Sequence, residues 1–209
     1  GRRALVVTDE RMAGDPTFQD MVEALQAAGL AVQVEAGTLP DVPVASALAA
    51  ADARRGFAAD LVIGVGGGSC LDMAKCLALL LTHGGKPQDY YGELMVPGPV
   101  LPLIAVPTTA GTGSEVTPVA VLSDDARSLK VGISSPHLIP LAAICDPELT
   151  MTCPPGLTAI AGADALTHAI EAFTATRRPL TPGLSQERVF IGKNALSDQF
   201  ALRAIALLW

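Results

Sequence analysis

The chain has 209 residues, of which 50% are hydrophobic and 17% are charged, a composition that supports a sizeable core and argues against disorder. The length suits one large domain, or one domain with part of another. The formal net charge of −7 leaves no basic face for a phosphate backbone, which argues against nucleic acid as a partner. A membrane span needs roughly 18 or more apolar residues in a row, and the best candidate, MAKCLALLL, is shorter and contains Lys75.

The first hundred residues alternate between short apolar runs and helical patterns. Phe18, Met21, Val22 and Leu25 recur at helical spacing, for example, and Gly29 provides a stop. Such β–α alternation predicts an α/β fold, a doubly wound parallel sheet covered by helices. The predicted strands are 4–7, 30–35, 60–65 and 100–107, and the predicted helices are 18–25, 44–54 and 71–81.

The character of the chain changes near residue 150. The stretch 116–145 is rich in predicted strand, whereas 156–175 and 195–209 have helical patterns separated by an irregular segment, 176–194. We therefore predict a dinucleotide-binding α/β domain over 1–150, followed by the beginning of an all-α domain over 151–209. The chain opens directly in a strand and closes inside an apolar helix without a capping signal, so we expect a piece of a longer polypeptide, truncated at both ends.

The cysteines predict a reducing compartment. They lack CxxC spacing, and no signal-peptide pattern precedes them, so we expect reduced thiols in a cytoplasmic protein. One of them, Cys70, stands at a predicted helix start, where a thiol pKa can be lowered. Ordinary packing in the core is the favoured interpretation for this residue. The four residues are Cys70, Cys76, Cys145 and Cys153.

The stretch GVGGGSCLDMAK, residues 64–75, lies directly after a predicted buried strand and directly before a helix. Glycines let a backbone approach an anion, and the free N–H groups of a helix start complement its charge. The stretch differs from the usual dinucleotide fingerprint, because Ser69 stands where that pattern has Gly or Ala, and it lacks the Gly-Lys-Ser/Thr of a P-loop. A tight structural turn is the alternative, but the strand–loop–helix context favours a phosphate-binding loop.

Two other strand ends carry polar residues. Asp9 follows the first strand, where a carboxylate could accept a ribose hydroxyl and would repel a 2′-phosphate, favouring NAD over NADP; an Asx-turn is the common alternative. PTTAGTGSE, residues 107–115, follows the fourth strand. Ligands of open α/β sheets bind beyond the carboxyl ends of the strands, so this loop could line the same crevice. Plain turns remain the alternative here as well.

Asp164 and His168 are four residues apart in GADALTHAIEAF and therefore project from one face of a helix. A carboxylate and an imidazole suit a divalent metal, either iron(II) or zinc. The pair alone does not hold a catalytic metal tightly. An acid favoured at a helix start together with a partly buried histidine is the alternative interpretation.

Taken in this order, GGGSCLDMAK, PTTAGTGSEVT and GADALTHAIEAF resemble the iron-containing (group III) alcohol dehydrogenases, and the resemblance runs from ALVVTDE to the end of the chain. It implies an N-terminal NAD(P)-binding α/β domain, a C-terminal helical domain and an active site between them. It also implies a metal held by one Asp and three His, of which Asp164 and His168 match the first two. The other two histidines would then lie beyond residue 209.

The resemblance also assigns cofactor-binding residues. A glycine turn would hold the pyrophosphate, with Asp72 behind it; threonines of the second loop and Lys130 would contact the cofactor; and Asp9 matches a position associated with NAD preference. Val119 departs from the pattern, since some relatives have a polar cofactor contact there. The remaining assigned residues are Gly66, Gly67, Gly68, Ser69, Thr108, Thr109 and Thr112.

These residues predict an oxidoreductase that interconverts an alcohol and an aldehyde or ketone by hydride transfer, with NAD and a divalent metal, preferably iron(II) with zinc as the alternative. The expected partner is a small-molecule alcohol or carbonyl substrate, and the family often forms homodimers or larger homo-oligomers. The alternatives are a zinc glycerol dehydrogenase, a dehydroquinate synthase, and a hydroxyacid–oxoacid transhydrogenase, which segment 176–194 resembles. From another class, a chain ending at Trp209 would be a non-catalytic nucleotide-binding module, and this fragment alone is expected to be inactive.

Overall fold

The computed structural model describes residues 1–179 and 181–209. Two sheets and seven α-helices make up this part of the chain. The strands are β1 (Arg3–Val7), β2 (Ala31–Glu35), β3 (Leu61–Gly66), β4 (Gly92–Glu93), β5 (Leu103–Pro107), β6 (Val119–Asp124), β7 (Leu129–Ser134) and β8 (Ala142–Ala143). The helices are α1 (Glu10–Ala13), α2 (Pro16–Ala27), α3 (Val44–Arg54), α4 (Gly68–His83), α5 (Pro155–Thr174), α6 (Leu184–Glu187) and α7 (Ala195–Leu208).

The main sheet has the strand order β2-β1-β3-β5-β8, and all of its neighbouring strands are parallel. Successive side chains of β1 point to opposite faces. Leu5 and Val7 belong to a core that includes residues of α3 and α4, whereas Ala4 and Val6 belong to a second core with Phe18 of α2. Both faces are thus covered, which confirms the doubly wound α/β prediction.

The strand order creates a switch point beside β1. The chain moves from β1 to β2 on one side, and then crosses back to β3 on the other side. The loops that leave β1 and β3 therefore diverge, and the crevice between such loops is where open α/β sheets bind ligands. Asp9 follows β1 and Gly67 follows β3, so two of the predicted site regions meet at this point.

A second, three-stranded sheet has the order β4-β7-β6 and accounts for the predicted strand-rich stretch. β6 and β7 form an antiparallel hairpin whose register runs from Val119 opposite Ser134 to Asp124 opposite Leu129. Ala120 and Leu122 are fully buried in the same core as α4. The hairpin therefore stands over the helix that follows the glycine turn.

The helices after residue 150 lie where they were predicted. α5 and α7 pack along each other, and α6 is a single short turn inside the irregular segment 176–194. Leu180 belongs to that segment and lies outside the described residues. Glu93 of the small sheet accepts hydrogen bonds from the backbone N–H of Val189 (2.7 Å) and from the Arg188 guanidinium (3.3 Å), which fixes the segment to the α/β part. Among the described residues, no helix is long and apolar enough to cross a membrane.

Candidate nucleotide and metal site

The glycine turn, defined as Gly66, Gly67 and Gly68, joins β3 to α4. Gly66 has a φ of +143°, and a Cβ there would lie 2.6 Å from Cys70 Sγ, so both its conformation and its surroundings require glycine. The N-cap of α4 is Gly67, which makes no side-chain capping bond. The first N–H groups of a helix have no partner within it. An uncapped start of this kind can bind an anion such as a pyrophosphate.

The threonine loop, defined as residues 108–118, packs directly on this turn. A Cβ on Gly68 would lie 2.6 Å from Thr112 Cγ2, and one on Gly67 would lie 3.4 Å from Thr109 Oγ1. Thr108 is buried and donates its backbone N–H to Gly66 O (3.0 Å), extending the sheet ladder. The structure therefore brings these two predicted loops together, and glycine is what permits the contact.

Asp9 lies at the switch point and has a structural partner there. Its Oδ1 accepts from the backbone N–H of Met12 (2.7 Å), capping α1. Its Oδ2 lies 3.5 Å from Cys70 Sγ. Burial and this carboxylate raise the pKa of the Cys70 thiol to about 12, so the helix start leaves Cys70 protonated and it packs as a small core residue. Asp9 therefore has a local capping role, and its Oδ2 atom still faces the glycine turn.

Ser69 and Lys130 are linked through Asp41, a residue that the sequence analysis missed. Ser69 Oγ accepts from the Asp41 backbone N–H (3.1 Å), and Lys130 Nζ lies 2.7 Å from Asp41 Oδ1. The ion pair is more than half exposed and therefore stabilises the fold by at most about 1 kcal/mol. Asp41 follows β2 within LPDVP. An acid between two prolines just beyond a strand end is the signal that could have identified it.

Asp72 lies behind the glycine turn, in contact with a fully buried lysine. Asp72 Oδ1 accepts from Ser114 Oγ (2.6 Å), and its Oδ2 accepts from the backbone N–H of Val121 (3.1 Å). Lys75 has no exposed surface, and its Nζ donates to Ser114 Oγ (2.9 Å) and Val119 O (2.7 Å). One oxygen of Asp72 thus supports the threonine loop, and the other binds the backbone of β6.

Burial shifts the pKa of both members of this pair. It lowers the pKa of Lys75 to about 8 and raises the pKa of Asp72, although the Ser114 hydroxyl and the nearby ammonium oppose the latter effect. The sequence analysis missed Lys75 as a site residue. A single charge inside the apolar helix MAKCLALLL was the available signal, because a buried ammonium needs acceptors.

The predicted metal ligands share one face of α5. The His168 Nε2 atom lies 3.5 Å from Asp164 Oδ1, while His168 Nδ1 lies 3.7 Å from Glu171 Oε2. Two ligand atoms bound at about 2.1 Å to a tetrahedral metal are about 3.4 Å apart, so the first distance fits a shared ion. The donor set, one oxygen and one nitrogen, suits iron(II) or zinc. Within residues 1–179 and 181–209, no group of three or more His, Cys, Asp or Glu could hold a metal alone.

The same face of α5 meets the threonine loop. Ala161 precedes Asp164 by three residues and His168 by seven, so all three lie along one stripe of the helix. A Cβ on Gly111 would lie 2.8 Å from the Ala161 carbonyl oxygen. The stripe that bears Asp164 and His168 therefore begins against the threonine loop.

A shallow depression of about 370 Å³ occurs elsewhere, between α2 and β2. It contains no residue of the glycine turn or the threonine loop; its lining residues are Ala13, Phe18, Gln19, Val22, Glu23 and Val34. We place the site at the strand ends instead, because that is where parallel sheets present backbone N–H groups and polar loops to a ligand.

The fold is a doubly wound α/β domain in which two small-residue loops meet at the strand ends and a carboxylate–imidazole pair lies on the following helix. The sequence model of the family described as iron-containing alcohol dehydrogenase matches residues 1–147. The chain therefore belongs to the iron-containing alcohol dehydrogenase family, as its three motifs predicted.

Sequence and structure comparisons with individual relatives support this family membership. The chain is 35% identical to the NAD-dependent methanol dehydrogenase of Bacillus methanolicus, over 99% of this chain and 50% of that protein. It is 44% identical to the 4-hydroxybutyrate dehydrogenase of Cupriavidus necator, over 83% of this chain and 46% of the relative. The structure of an alcohol dehydrogenase from Oenococcus oeni superposes with a TM-score of 0.87 at 30% identity, over 99% of this chain and 51% of that one. The chain thus spans about half the length of the relatives that it matches.

Proposed function

We propose that the complete protein containing this chain interconverts an alcohol and an aldehyde or ketone, using NAD and a divalent metal. One observation carries the proposal: the glycine turn and the threonine loop meet at the switch point, and the same loop touches the helical stripe that bears Asp164 and His168. A nucleotide and a metal would then be held on adjacent sides of one crevice, as hydride transfer requires.

The nucleotide would bind at the start of α4. The uncapped N–H groups beyond Gly67 would hold the pyrophosphate, and Thr109 and Thr112 would contact the cofactor from the facing loop. Lys75, Ser114 and the backbone of the threonine loop would keep that loop in place. NAD is preferred to NADP in this proposal, because the Asp9 carboxylate would repel a 2′-phosphate. The relative from Bacillus methanolicus, an NAD-dependent methanol dehydrogenase, supports this choice.

The metal would be held by Asp164 Oδ1 and His168 Nε2, together with two further histidines that the family resemblance implies. When bound, a metal at this position supplies Lewis acidity that favours ionisation of an alcohol, and NAD supplies the hydride acceptor. Glu171 faces the other ring nitrogen of His168 and would orient the imidazole, as carboxylates next to metal-ligating histidines do.

The division of labour follows the predicted domains. Residues 1–150 would bind the nucleotide and residues 151–209 would begin the helical, metal-binding domain. The proposal includes a homodimer or larger homo-oligomer, because members of the family often form such assemblies. The proposal also includes a reducing compartment such as the cytoplasm, because four cysteines are free thiols: Cys70, Cys76, Cys145 and Cys153.

The test uses the full-length protein with a panel of small primary alcohols and hydroxyacids. Formation of NADH should be lost after chelation of the metal, and should return on adding Fe²⁺, or with Zn²⁺ if zinc is the resident metal. Turnover that survives complete metal removal would contradict the proposal. Reduction of an oxoacid by a hydroxyacid without added NAD would instead identify the transhydrogenase alternative.

A further inference from the structure

The threonine loop and α5 approach each other more closely at Gly111 than any side chain would allow. A Cβ on Gly111 would lie 2.8 Å from Ala161 O, 3.0 Å from Ala161 Cα and 3.1 Å from Ala161 Cβ. The two nearest atoms are backbone atoms of a 20-residue helix, so they cannot rotate away as a flexible side chain can. Relief of such a clash requires the loop and the helix to separate.

Conformation does not explain the glycine at this position. The φ of Gly111 lies outside the left-handed region, so an alanine could adopt its backbone conformation. Gly113, two residues later, shows the opposite case: its φ is +65°, yet the nearest atom to a Cβ there is Thr117 Cγ2 at 3.9 Å. The absent side chain of Gly111 therefore serves one purpose, the close approach to Ala161.

We propose that Gly111 is a positioning residue that sets the distance between the nucleotide-binding loops and the metal-bearing stripe of α5. This inference rests on the proposed function. The loop side is tied to the glycine turn through Thr112, which touches Gly68. The helix side carries Asp164 and His168 within two turns of Ala161. A change at Gly111 therefore alters the gap between the two half-sites while leaving each half-site intact.

The size of the effect follows from the contact distances. Moving the Gly111 Cβ from 2.8 Å to an ordinary contact of 3.4 Å from Ala161 O requires a separation of about 0.6 Å. Hydride transfer depends steeply on the placement of donor and acceptor, and a misplacement of about 1 Å can cost on the order of 100-fold in rate. Binding of NAD and of metal, each made on one side of the gap, should change little.

The experiment compares Gly111→Ala with Gly162→Ala in the full-length protein. Gly162 is the neighbour of Ala161 on the same helix, and a Cβ there meets nothing within 4 Å. For each variant, one measures the Kd for NAD⁺, the metal content, kcat with KM, and the crystal structure. We expect Gly111→Ala to lower kcat roughly 10- to 100-fold with Kd and metal content within about twofold of wild type, and to show α5 displaced by about half an ångström from the loop. Gly162→Ala should match wild type.

Other outcomes overturn the inference. An unchanged kcat would do so, and so would a parallel loss of NAD⁺ binding, metal content and melting temperature, which is the signature of a merely structural glycine. If Gly111→Ala does not fold, Ala161→Ser approaches the contact from the helix side and should give the same split between binding and kcat. If wild-type protein shows no NAD-linked turnover, the proposed function fails, and the displacement of α5 in the crystal structure still decides the role of Gly111.

Discussion

Lys75 Nζ donates a hydrogen bond to Ser114 Oγ across 2.9 Å, joining the middle of α4 to the threonine loop. The Ser114 hydroxyl in turn donates a hydrogen bond to Asp72 Oδ1 (2.6 Å). The same ammonium also bonds the carbonyl oxygens of Thr117 and Val119. The threonine loop is therefore held by a buried charge, which makes the network costly to break.

Replacement of this lysine should destabilise the protein strongly. Lys75→Met keeps the apolar stem but leaves buried Ser114 Oγ and the part-buried acceptors Thr117 O and Val119 O without their donor, so we expect a loss of about 3 kcal/mol of stability. Lys130→Met is the matched control, because it removes an exposed ion pair with Asp41 that contributes at most about 1 kcal/mol. Thermal denaturation of both variants measures the difference, and equal melting temperatures would contradict the role of Lys75.

The free energy of unfolding should also depend on pH, because Lys75 titrates at a different pH in the folded and unfolded chains. Burial lowers its pKa from 10.5 to about 8, so between these two pH values the unfolded chain binds more protons than the folded one. Stability from this group therefore rises with pH across that window, and is constant below and above it.

The measurement is the difference in unfolding free energy between wild type and Lys75→Met from pH 7 to pH 10.5. It should shift in favour of wild type by up to about 3 kcal/mol. Subtraction is needed because the pKa of Cys70, raised to about 12, makes both proteins less stable as the pH rises above its ordinary value of 9.0. A difference that is flat with pH would show that Lys75 keeps its ordinary pKa.

Asp9→Ser should relax the choice between the two nicotinamide cofactors. Serine can still cap α1 by accepting from Met12 N–H, so the fold is kept while the carboxylate is lost. We expect the ratio of kcat/KM for NADP to that for NAD to rise at least about tenfold, equivalent to about 1.4 kcal/mol. Asp15→Ser changes the corresponding cap of α2 and should leave the ratio unchanged. No rise in the ratio would show that Asp9 is only a cap.

Gly68→Ala should weaken NAD binding by separating the two loops. The added Cβ would lie 2.6 Å from Thr112 Cγ2, so removing that methyl with Thr112→Ser should restore part of the affinity. We expect roughly a tenfold higher Kd for Gly68→Ala, and a coupling energy of about 0.5–3 kcal/mol in the double-mutant cycle. Gly98→Ala, where a Cβ would meet His83 Cε1 at an ordinary 3.9 Å, serves as the control. Strictly additive effects would argue against direct contact between the loops.

The sequence predicted the regular elements well, because their patterns are local. The helix expected over 44–54 occurs with those bounds, at Val44–Arg54, and the strand-rich stretch 116–145 contains the hairpin strands Val119–Asp124 and Leu129–Ser134. One boundary shifted at a proline: the strand expected from residue 100 begins at Leu103, directly after Pro102, which has no backbone N–H to donate. Near the end of the stretch 116–145, only Ala142–Ala143 forms a strand, which pairs with β5 at the edge of the sheet.

Contacts in the site that depend on strand order could not be predicted from the sequence. Asp41 is 28 residues from Ser69, and Lys75 is 39 residues from Ser114, so neither contact leaves a local pattern. The close approach of Gly111 to Ala161 is likewise a product of the fold. In contrast, the Asp164–His168 pair was visible, because residues four apart on a helix meet regardless of tertiary structure.

The proposed nucleotide half-site and metal half-site can be separated experimentally. His168→Ala in the full-length protein removes one proposed metal ligand on α5. Thr167→Ala is the neighbouring control, because the Thr167 hydroxyl donates to Ala163 O of its own helix. Metal content and the Kd for NAD⁺, measured on the same preparations, test the claim directly. We predict that His168→Ala loses the metal and turnover but binds NAD⁺ within about twofold of wild type, and that Thr167→Ala retains all three properties. Normal metal content and turnover in His168→Ala would contradict the assignment.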